Sequence, residues 1–311
     1  MKILFMGTPD FAVFSLDALV RAEMDIVGVV TQPDKPKGRS YALTPSPVKV
    51  YALEHGIDVY QPNTLRDEAF AELLDNLSPD LIAVVAYGKI LPESVINYPK
   101  HRCVNVHGSL LPEYRGAAPM QRAIIDGKGV TGVTTMYMDV GIDTGDMILK
   151  REVEIGENDN FEDIHDALGK AGAELLVETV KLIESGDAPS IPQDDSLSTY
   201  ASKIEKADCL IDFNKSAREV HDLIRGLSPI PLAFTHTPDG KLLKVLESRC
   251  EAQRAHSAVA GEVIALGEGG ITVACKSGAV RLLRVLPEGK GRMSADDFIR
   301  GRKISMGDIL A

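Results

Sequence analysis

The segment from Cys103 to Pro119, CVNVHGSLLPEYRGAAP, contains two side chains whose types and spacing suit acyl chemistry. Asn105 and His107 stand two residues apart at the end of a predicted strand, and the period-two geometry of a strand points both to the same side. An amide beside an imidazole can together donate hydrogen bonds to an oxyanion and handle a proton. The segment therefore predicts catalytic groups for acyl transfer.

A carboxylate would complete this pair by holding the histidine in one tautomer and stabilising its cation. A second segment, GIDTGDMI, offers Asp143 and Asp146 in a glycine-flanked turn. A purely structural role for the histidine and the aspartates is also compatible with the sequence. A histidine near a strand end is often a satisfied structural residue, and an aspartate in a glycine-rich turn often serves only the turn.

Other cofactor and metal chemistries find little support in the sequence. Gly7, within MGTPDF, does not belong to a G-x-G-x-x-G fingerprint, so the motif for a dinucleotide is missing. The cysteines are widely spaced, without a CxxC pair or a Cys/His cluster, and we expect them to be reduced and structural. They are Cys103, Cys209, Cys250 and Cys275. We expect no bound metal.

The elements that must position Asn105 and His107 follow from the hydrophobic pattern of the first half. Short β-branched runs alternate with helical patterns, which is typical of an α/β domain with a largely parallel sheet. The predicted strands are Ile3 to Met6, Ile26 to Thr31, Leu81 to Ala86 and Val104 to Val106. The predicted helices are Phe11 to Ala22, with Thr8 and Pro9 at its start, Asp67 to Leu77, and Phe161 to Ser185, with Asn158 or Asn160 as cap and Gly186 at its end.

The second half has a different pattern. A polar stretch from Gly186 to Ser198 reads as a linker, and beyond it one helix, Ala217 to Leu227, accompanies several short strands. Those strands are Leu242 to Leu246, Gly261 to Ala265, Ile271 to Cys275 and Val280 to Leu286. Their regular spacing predicts a small β-barrel or sandwich. We therefore expect domains at 1–190 and 207–311, joined by a linker at 191–206.

Length, composition and charge indicate the broad class of protein. At 311 residues, with 44% hydrophobic and 25% charged residues, the chain is expected to be a folded, water-soluble, two-domain protein. No apolar run is long enough for a bilayer and the N-terminal run is too short for a signal peptide, so we expect a cytoplasmic protein without a membrane partner. The net charge is minus 11, split into minus 14 for residues 1–200 and plus 3 for residues 201–311. This asymmetry permits a polyanion on one face but is also compatible with chance.

The stretch from Thr31 to Val48, TQPDKPKGRSYALTPSPV, is long for a connection in a compact fold and rich in proline. It carries Lys35, Lys37 and Arg39 within an otherwise acidic half. A solvated surface loop and a functional loop are both compatible with this composition.

The string SLLPEYRGAAP, preceded by Asn105 and His107 and followed by GIDTGDMI, resembles the folate-dependent formyltransferases. Within that family MGTPDFA, QPDKPKGR, PSPVK, IRGLSP and LLKV are similar to the members that formylate methionyl initiator tRNA, over essentially the whole chain. Glycinamide ribonucleotide formyltransferases share the catalytic residues but lack the second domain. Amino-sugar formyltransferases resemble the N-terminal half. One departure is the run Pro229 to Ala233, PIPLA, where the family has a Pro-Trp-Pro-Gly-Ala type of sequence.

The resemblance implies a Rossmann-like N-terminal formyltransferase domain and a small OB-like C-terminal barrel. It implies 10-formyltetrahydrofolate as formyl donor, methionyl initiator tRNA as partner and a monomeric enzyme. It implies Asn105, His107 and Asp143 as catalytic residues, and it places folate against Ser109, Leu110, Leu111 and Pro112. The loop residues Lys35, Lys37 and Arg39 then suit phosphate contacts near the acceptor arm.

A second phosphate-binding surface is possible in the C-terminal domain, where basic residues outnumber acidic ones. Those basic residues are Arg281, Arg284, Lys290, Arg292, Arg300, Arg302 and Lys303. A mixed-charge solvated face is the alternative. A non-catalytic RNA-binding module is a further rival, which the intact set of Asn105, His107 and Asp143 disfavours.

Overall fold

The computed structural model describes residues 1–37, 42–267 and 269–311. The chain divides into two compact units, each assembled from three stretches. The first unit contains Met1–Gly116, Thr131–Val153 and His165–Tyr200, and the second contains Ala117–Val130, Glu154–Ile164 and Ala201–Ala311. Stretches of the two units therefore alternate along the chain. The predicted domains at 1–190 and 207–311 are a different division of the chain and stay a prediction.

The strands and helices alternate in the first half of the chain, and strands dominate the second half. The strands are β1 Ile3–Gly7, β2 Ile26–Val30, β3 Lys35–Lys37, β4 Ala42–Thr44, β5 Val59–Tyr60, β6 Leu81–Val85, β7 Cys103–His107, β8 Arg115–Gly116, β9 Val130–Tyr137, β10 Met147–Glu154, β11 Tyr200–Ala201, β12 Ala233–His236, β13 Leu242–Glu251, β14 Val263–Gly267, β15 Gly270–Ala274, β16 Ala279–Pro287 and β17 Met293–Ser294. The α-helices are α1 Asp10–Arg21, α2 Pro47–Glu54, α3 Glu68–Leu77, α4 Glu93–Ile96, α5 Pro119–Ile125, α6 Phe161–Ser185, α7 Ala217–Gly226 and α8 Ala295–Arg300. Short 3-10 helices cover Asp195–Leu197 and Lys206–Cys209.

The main sheet of the first unit has seven strands among the described residues, in the order β10, β9, β7, β6, β1, β2, β5. β1 pairs in parallel with β2 and β6, and β6 pairs in parallel with β7, whereas β9 runs antiparallel to β7. All residues of β1 and β6 are buried, as expected for strands covered on both faces. The predicted mostly parallel sheet is confirmed, and the four predicted strands correspond to β1, β2, β6 and β7.

Both ends of the long helix α6 follow the sequence prediction. The side-chain oxygen of Asn160 accepts hydrogen bonds from the backbone N–H groups of Glu162 and Asp163, at 2.7 and 3.2 Å, so Asn160 is its cap. Gly186 follows the helix with φ of +83°, a conformation that glycine adopts without a steric penalty.

The predicted start of α1 at Thr8 is wrong. The helix begins at Asp10, and Pro9 at its N-cap position supplies no side-chain hydrogen bond. The hydroxyl of Thr8 instead donates to the backbone oxygen of Tyr87, at 2.9 Å. Thr8 therefore links the end of β1 to the loop after β6, a long-range contact without a local sequence signal.

The second unit contains an antiparallel sheet with strand order β12, β13, β16, β15, β14, and β17 pairs with β16. The helix α7 begins with a capping box between Ser216 and Glu219 and packs Val220 and Ile224 into the core of this unit. The predicted strand-rich second half and its helix are confirmed, and the strands pair antiparallel. Closure of the sheet into a barrel stays a prediction.

The stretch from Thr31 to Val48 contains a small two-stranded sheet, in which β3 and β4 pair antiparallel, and then the first residues of α2. Its base is closed by a 2.7 Å hydrogen bond between the hydroxyls of Thr31 and Ser46. Lys49 donates to Asp34 and to Gln61, and the side chain of Gln61 also donates to Asp34. The hydrogen bonds from Lys49 and Gln61 lower the pKa of Asp34. These hydrogen bonds hold the two ends of this loop, residues 31–48, close together, and we call the loop the excursion. Arg39, which was predicted to contact phosphate, lies outside the described residues.

No helix in the described ranges is both long enough and apolar enough to cross a membrane.

Candidate active site

Asn105 and His107 lie on β7 between the neighbouring strands β6 and β9. Asn105 stands opposite Val84 on one side and Met136 on the other, and His107 stands opposite Thr134. Because the two residues are separated by one position, their side chains leave the same face of the strand. His107 is only 6% exposed, whereas Asn105 is partly exposed.

The imidazole of His107 lies between two hydrogen-bond acceptors. Its Nε2 is 2.9 Å from the backbone oxygen of Tyr114, and its Nδ1 is 3.6 Å from Oδ2 of Asp143. A carbonyl only accepts, so Nε2 must carry hydrogen. The cationic ring can donate from both nitrogens, whereas the neutral ring can donate from one only. Nδ1 is therefore the ring nitrogen that faces the carboxylate of Asp143.

Asp143 occupies a strained position in the turn before β10. Its φ of +56° lies in the left-handed region, which costs a non-glycine residue about 1 kcal/mol. Two neighbours fix it: the backbone N–H of Gly116 donates to Oδ2 at 2.8 Å, and the side chain of Gln193 donates to its backbone oxygen at 2.8 Å. Backbone strain that is held by its surroundings is concentrated at functional sites. Asp146, the other carboxylate of the segment GIDTGDMI, instead accepts a hydrogen bond from Ser190.

The side-chain amide of Asn105 has no hydrogen-bond partner among the described residues. Two exposed apolar side chains lie in the turn next to Asp143, namely Val140 at 74% and Ile142 at 54%. Neither residue was predicted from the sequence, although two β-branched residues within a glycine-rich turn can indicate exposed apolar surface. Donors and exposed apolar surface are what a partly aromatic, polar ligand requires.

The segment Ser109 to Pro112 is largely engaged with the protein itself. Leu111 is fully buried in a cluster with Met136 and Met147. Its backbone N–H donates to the Thr134 hydroxyl, and its backbone oxygen accepts from Lys150, whose pKa is lowered by burial. The hydroxyl of Ser109 donates to the backbone oxygen of Glu113 at 2.6 Å.

The predicted tRNA-contacting residues are only partly described. Lys35 is exposed on β3, and its ammonium donates to Gln32 at 2.7 Å. Lys37 ends the same strand, and Arg39 lies outside the described residues. In the second unit, Arg281 is ion-paired with Glu251 and Arg300 with Asp297, so part of the predicted basic surface is neutralised locally.

The described residues contain no group of three histidine, cysteine, aspartate or glutamate side chains arranged to hold a metal ion. All four cysteines are unpaired thiols. Burial raises the pKa of Cys103 and Cys275 to about 12, which makes both poor nucleophiles.

The turn that carries Asp143 tolerates no side chain at Gly145. A Cβ atom there would lie 1.8 Å from the backbone oxygen of Tyr137, so Gly145→Ala must displace the turn. We expect this substitution to lower the free energy of unfolding by about 1–3 kcal/mol, measured by urea denaturation. Gly129→Ala is the matched control, because a Cβ there meets no atom within 4 Å. Equal stability of the two variants would contradict this account of the turn.

Two family models match this chain and assign it to a class of enzyme. A family model described as Formyl transferase matches residues 1–180, and one described as Formyl transferase, C-terminal domain, matches residues 203–303. The chain is thus a two-domain formyl transferase. The solved N-formyltransferase from Helicobacter canadensis, in complex with folinic acid and dTDP-3-aminofucose, shares the fold with a TM-score of 0.67 at 19% identity, over 91% of this chain and 99% of that one.

Closer relatives narrow the class. The methionyl-tRNA formyltransferase of Clostridium novyi is 48% identical over 311 residues, covering 100% of each chain. That of Acetivibrio thermocellus is 45% identical over 310 residues, covering 100% of this chain and 99% of the relative. The chain belongs to the methionyl-tRNA formyltransferase family.

Proposed function

We propose that this protein transfers the formyl group of 10-formyltetrahydrofolate to the free α-amino group of methionyl initiator tRNA. The product would be N-formylmethionyl-tRNA for translation initiation, and tetrahydrofolate would be released. The observation that carries the proposal is the arrangement around β7: His107 faces Asp143, and Asn105, two residues before His107, points its amide to the same face of the strand. Methionyl-tRNA formyltransferases that match this chain over its full length support methionyl-tRNA as the acceptor.

The proposed reaction forms a bond between the amine nitrogen and the formyl carbon and breaks the bond from that carbon to the folate nitrogen. Negative charge develops on the formyl oxygen in the tetrahedral intermediate, and Asn105 is the donor we assign to it. The attacking amine loses a proton, and the folate nitrogen gains one. His107, whose Nδ1 faces the carboxylate of Asp143, is the group we assign to this proton transfer, directly or through water.

His107 is also a candidate donor to the developing oxyanion. Its Nε2 donates to the backbone oxygen of Tyr114, and its Nδ1 faces Asp143. Donation to a substrate oxygen therefore requires one of these contacts to be exchanged when substrate binds. Catalytic hydrogen bonds commonly become shorter and better aligned only in the substrate complex.

For the folate we propose the surface formed by Ser109 to Pro112 and the neighbouring turn. The side chain of Leu111 is buried in the core, so recognition by this segment falls to partly exposed Leu110 and Pro112 and to backbone groups. Val140 and Ile142 add exposed apolar surface that suits the flat face of a pterin.

For the tRNA we propose contacts from the excursion that carries Lys35, Lys37 and Arg39, and a supporting role for the second unit. Exposed Lys35 is the residue of this set whose side chain the structure describes. We propose that the enzyme acts in the cytoplasm, where its proposed substrate serves translation. We further propose that one chain suffices for catalysis, since Asn105, His107 and Asp143 come from a single chain.

The lysine contact gives a testable prediction. Lys35→Ala should raise KM for tRNA severalfold and reduce the slope of log KM against log salt by about one, because one phosphate contact is lost. Lys181→Ala, at an exposed lysine on α6, is the control and should leave both unchanged. Substitution of Arg39 should act in the same direction as Lys35→Ala. An unchanged KM in the Lys35 and Arg39 variants would remove this excursion from the tRNA site.

The donor is tested by supplying 10-formyltetrahydrofolate labelled in its formyl carbon together with methionyl initiator tRNA. The proposal predicts labelled formylmethionine after hydrolysis of the ester and an equal amount of tetrahydrofolate. Label that stays on folate in the presence of charged tRNA would contradict it.

A further inference from the structure

Residues 190–199, which overlap the linker predicted at 191–206, form hydrogen bonds with both loops that contact His107. We call this segment the strap. At its start, Ile191 exchanges two backbone hydrogen bonds with Met147, at 2.8 and 2.9 Å, just after the turn that carries Asp143. At its end, the hydroxyl and the backbone oxygen of Thr199 accept from the backbone N–H groups of Tyr114 and Arg115. The strap is thus attached on both sides of the candidate catalytic histidine.

Gln193 is the residue of the strap that reaches the Asp143 turn. Its Nε2 donates to two backbone oxygens, those of Asp143 and Gly145, both at 2.8 Å. Its Oε1 accepts from Nε and Nη2 of Arg115, at 3.0 and 2.9 Å. These partners fix the orientation of the amide, because only its nitrogen can donate to carbonyls and only its oxygen can accept from a guanidinium.

Arg115 is itself held in place. It is 9% exposed, and its Nη2 also forms a 2.7 Å ion pair with Asp195 of the strap. A buried guanidinium with charge-assisted hydrogen bonds is a rigid support, since its planar fork leaves little freedom. The chain of contacts therefore runs from Arg115 through Gln193 to the backbone of Asp143.

The backbone of Asp143 needs such support. Its left-handed conformation is less stable than an extended or helical one, so the turn relaxes if its ties are lost. Gly116 holds the carboxylate and Gln193 holds the main chain of the same residue. Loss of the Gln193 tie would let the carboxylate move relative to Nδ1 of His107.

We propose that Gln193 is a positioning residue for formyl transfer, which acts by fixing Asp143 against His107 without touching substrate. This inference rests on the proposed function for its kinetic readout, but not for its structural one. It also assigns a task to the strap beyond connecting two parts of the chain.

The test compares Gln193→Leu and Gln193→Glu with the wild type and with Ser198→Ala. Leucine removes all four hydrogen bonds at similar volume, and glutamate keeps the acceptors for Arg115 but sets a carboxylate against two carbonyls. Ser198→Ala removes one hydrogen bond of the same strap that involves only Asp195. For both Gln193 variants, kcat should fall on the order of 10- to 100-fold with KM for folate and tRNA little changed, because misplacement by about 1 Å has this effect. Ser198→Ala should match the wild type.

A double-variant comparison separates positioning from general damage. If Gln193 acts through Asp143, Gln193→Leu should change kcat little when Asp143 is already replaced by asparagine. An undiminished loss of kcat in that background would overturn the proposal. Wild-type kcat in both Gln193 variants would overturn it as well.

A measurement without substrate keeps this inference apart from the proposed function. The ring nitrogens of 15N-labelled His107, assigned by comparison with a His107→Asn sample, should shift in Gln193→Leu and not in Ser198→Ala. Unchanged His107 signals in Gln193→Leu would overturn the positioning role whether or not the wild type formylates tRNA. A wild type that fails to formylate methionyl-tRNA would defeat the proposed function alone.

Discussion

Replacing Asn105 with alanine is expected to lower kcat of formyl transfer by about 100- to 1000-fold, the usual effect of removing one oxyanion donor. The amide extends from β7 on the same face as His107. It donates no hydrogen bond to a described residue and accepts none from one. Its donor is therefore available to the formyl oxygen, whose charge grows only as the amine attacks. Ground-state binding of either substrate should change little, because the interaction strengthens in the transition state.

The measurement for Asn105 is a single-turnover assay with enzyme in excess, which reports the chemical step without product release. Asn76→Ala is a suitable control, since Asn76 is an exposed residue on α3. Near-wild-type turnover of Asn105→Ala in this assay, with unchanged thermal stability, would remove Asn105 from the mechanism.

Replacing Asp143 with asparagine should reduce kcat by about 100- to 10,000-fold, the range typical for loss of general acid–base function. The asparagine oxygen can still accept from the backbone N–H of Gly116, so the turn should persist. The same oxygen position lies 3.6 Å from Nδ1 of His107, so the variant keeps an acceptor there. The substitution removes the negative charge beside the group assigned to proton transfer.

For Asp143→Asn the informative comparison is between turnover and folate affinity. Single-turnover rates should fall while the folate dissociation constant, measured by fluorescence titration, stays close to the wild-type value. The reverse pattern, weak folate binding with normal turnover, would assign Asp143 to cofactor recognition and not to proton transfer.

The parts of the site that the sequence predicts are those encoded locally. Two residues separated by one position on a buried strand must share a face, so Asn105 and His107 could be paired from their spacing alone. The buried strands β1 and β6 follow in the same way from continuous apolar runs. The cap at Asn160 follows from the preference of that side chain for backbone N–H groups.

The parts that the sequence did not predict depend on contacts between distant residues. Gln193 lies far along the chain from Asp143, in a polar stretch with turn residues, and nothing local distinguishes it from a linker residue. Thr8 looked like a helix cap, yet its hydroxyl donates to Tyr87 instead. Leu111 was expected to contact folate, but its side chain packs against Met136 and Met147, a contact between residues far apart in the sequence.

The substrate of the enzyme is tested by formyl transfer from 10-formyltetrahydrofolate to methionyl initiator tRNA, run beside glycinamide ribonucleotide and an amino-sugar nucleotide as acceptors. A His107→Ala enzyme serves as the control. We expect N-formylmethionyl-tRNA as the product of the wild type, none from the control, and no comparable activity on the two small acceptors. Activity confined to a small acceptor would contradict the assignment of tRNA as the substrate.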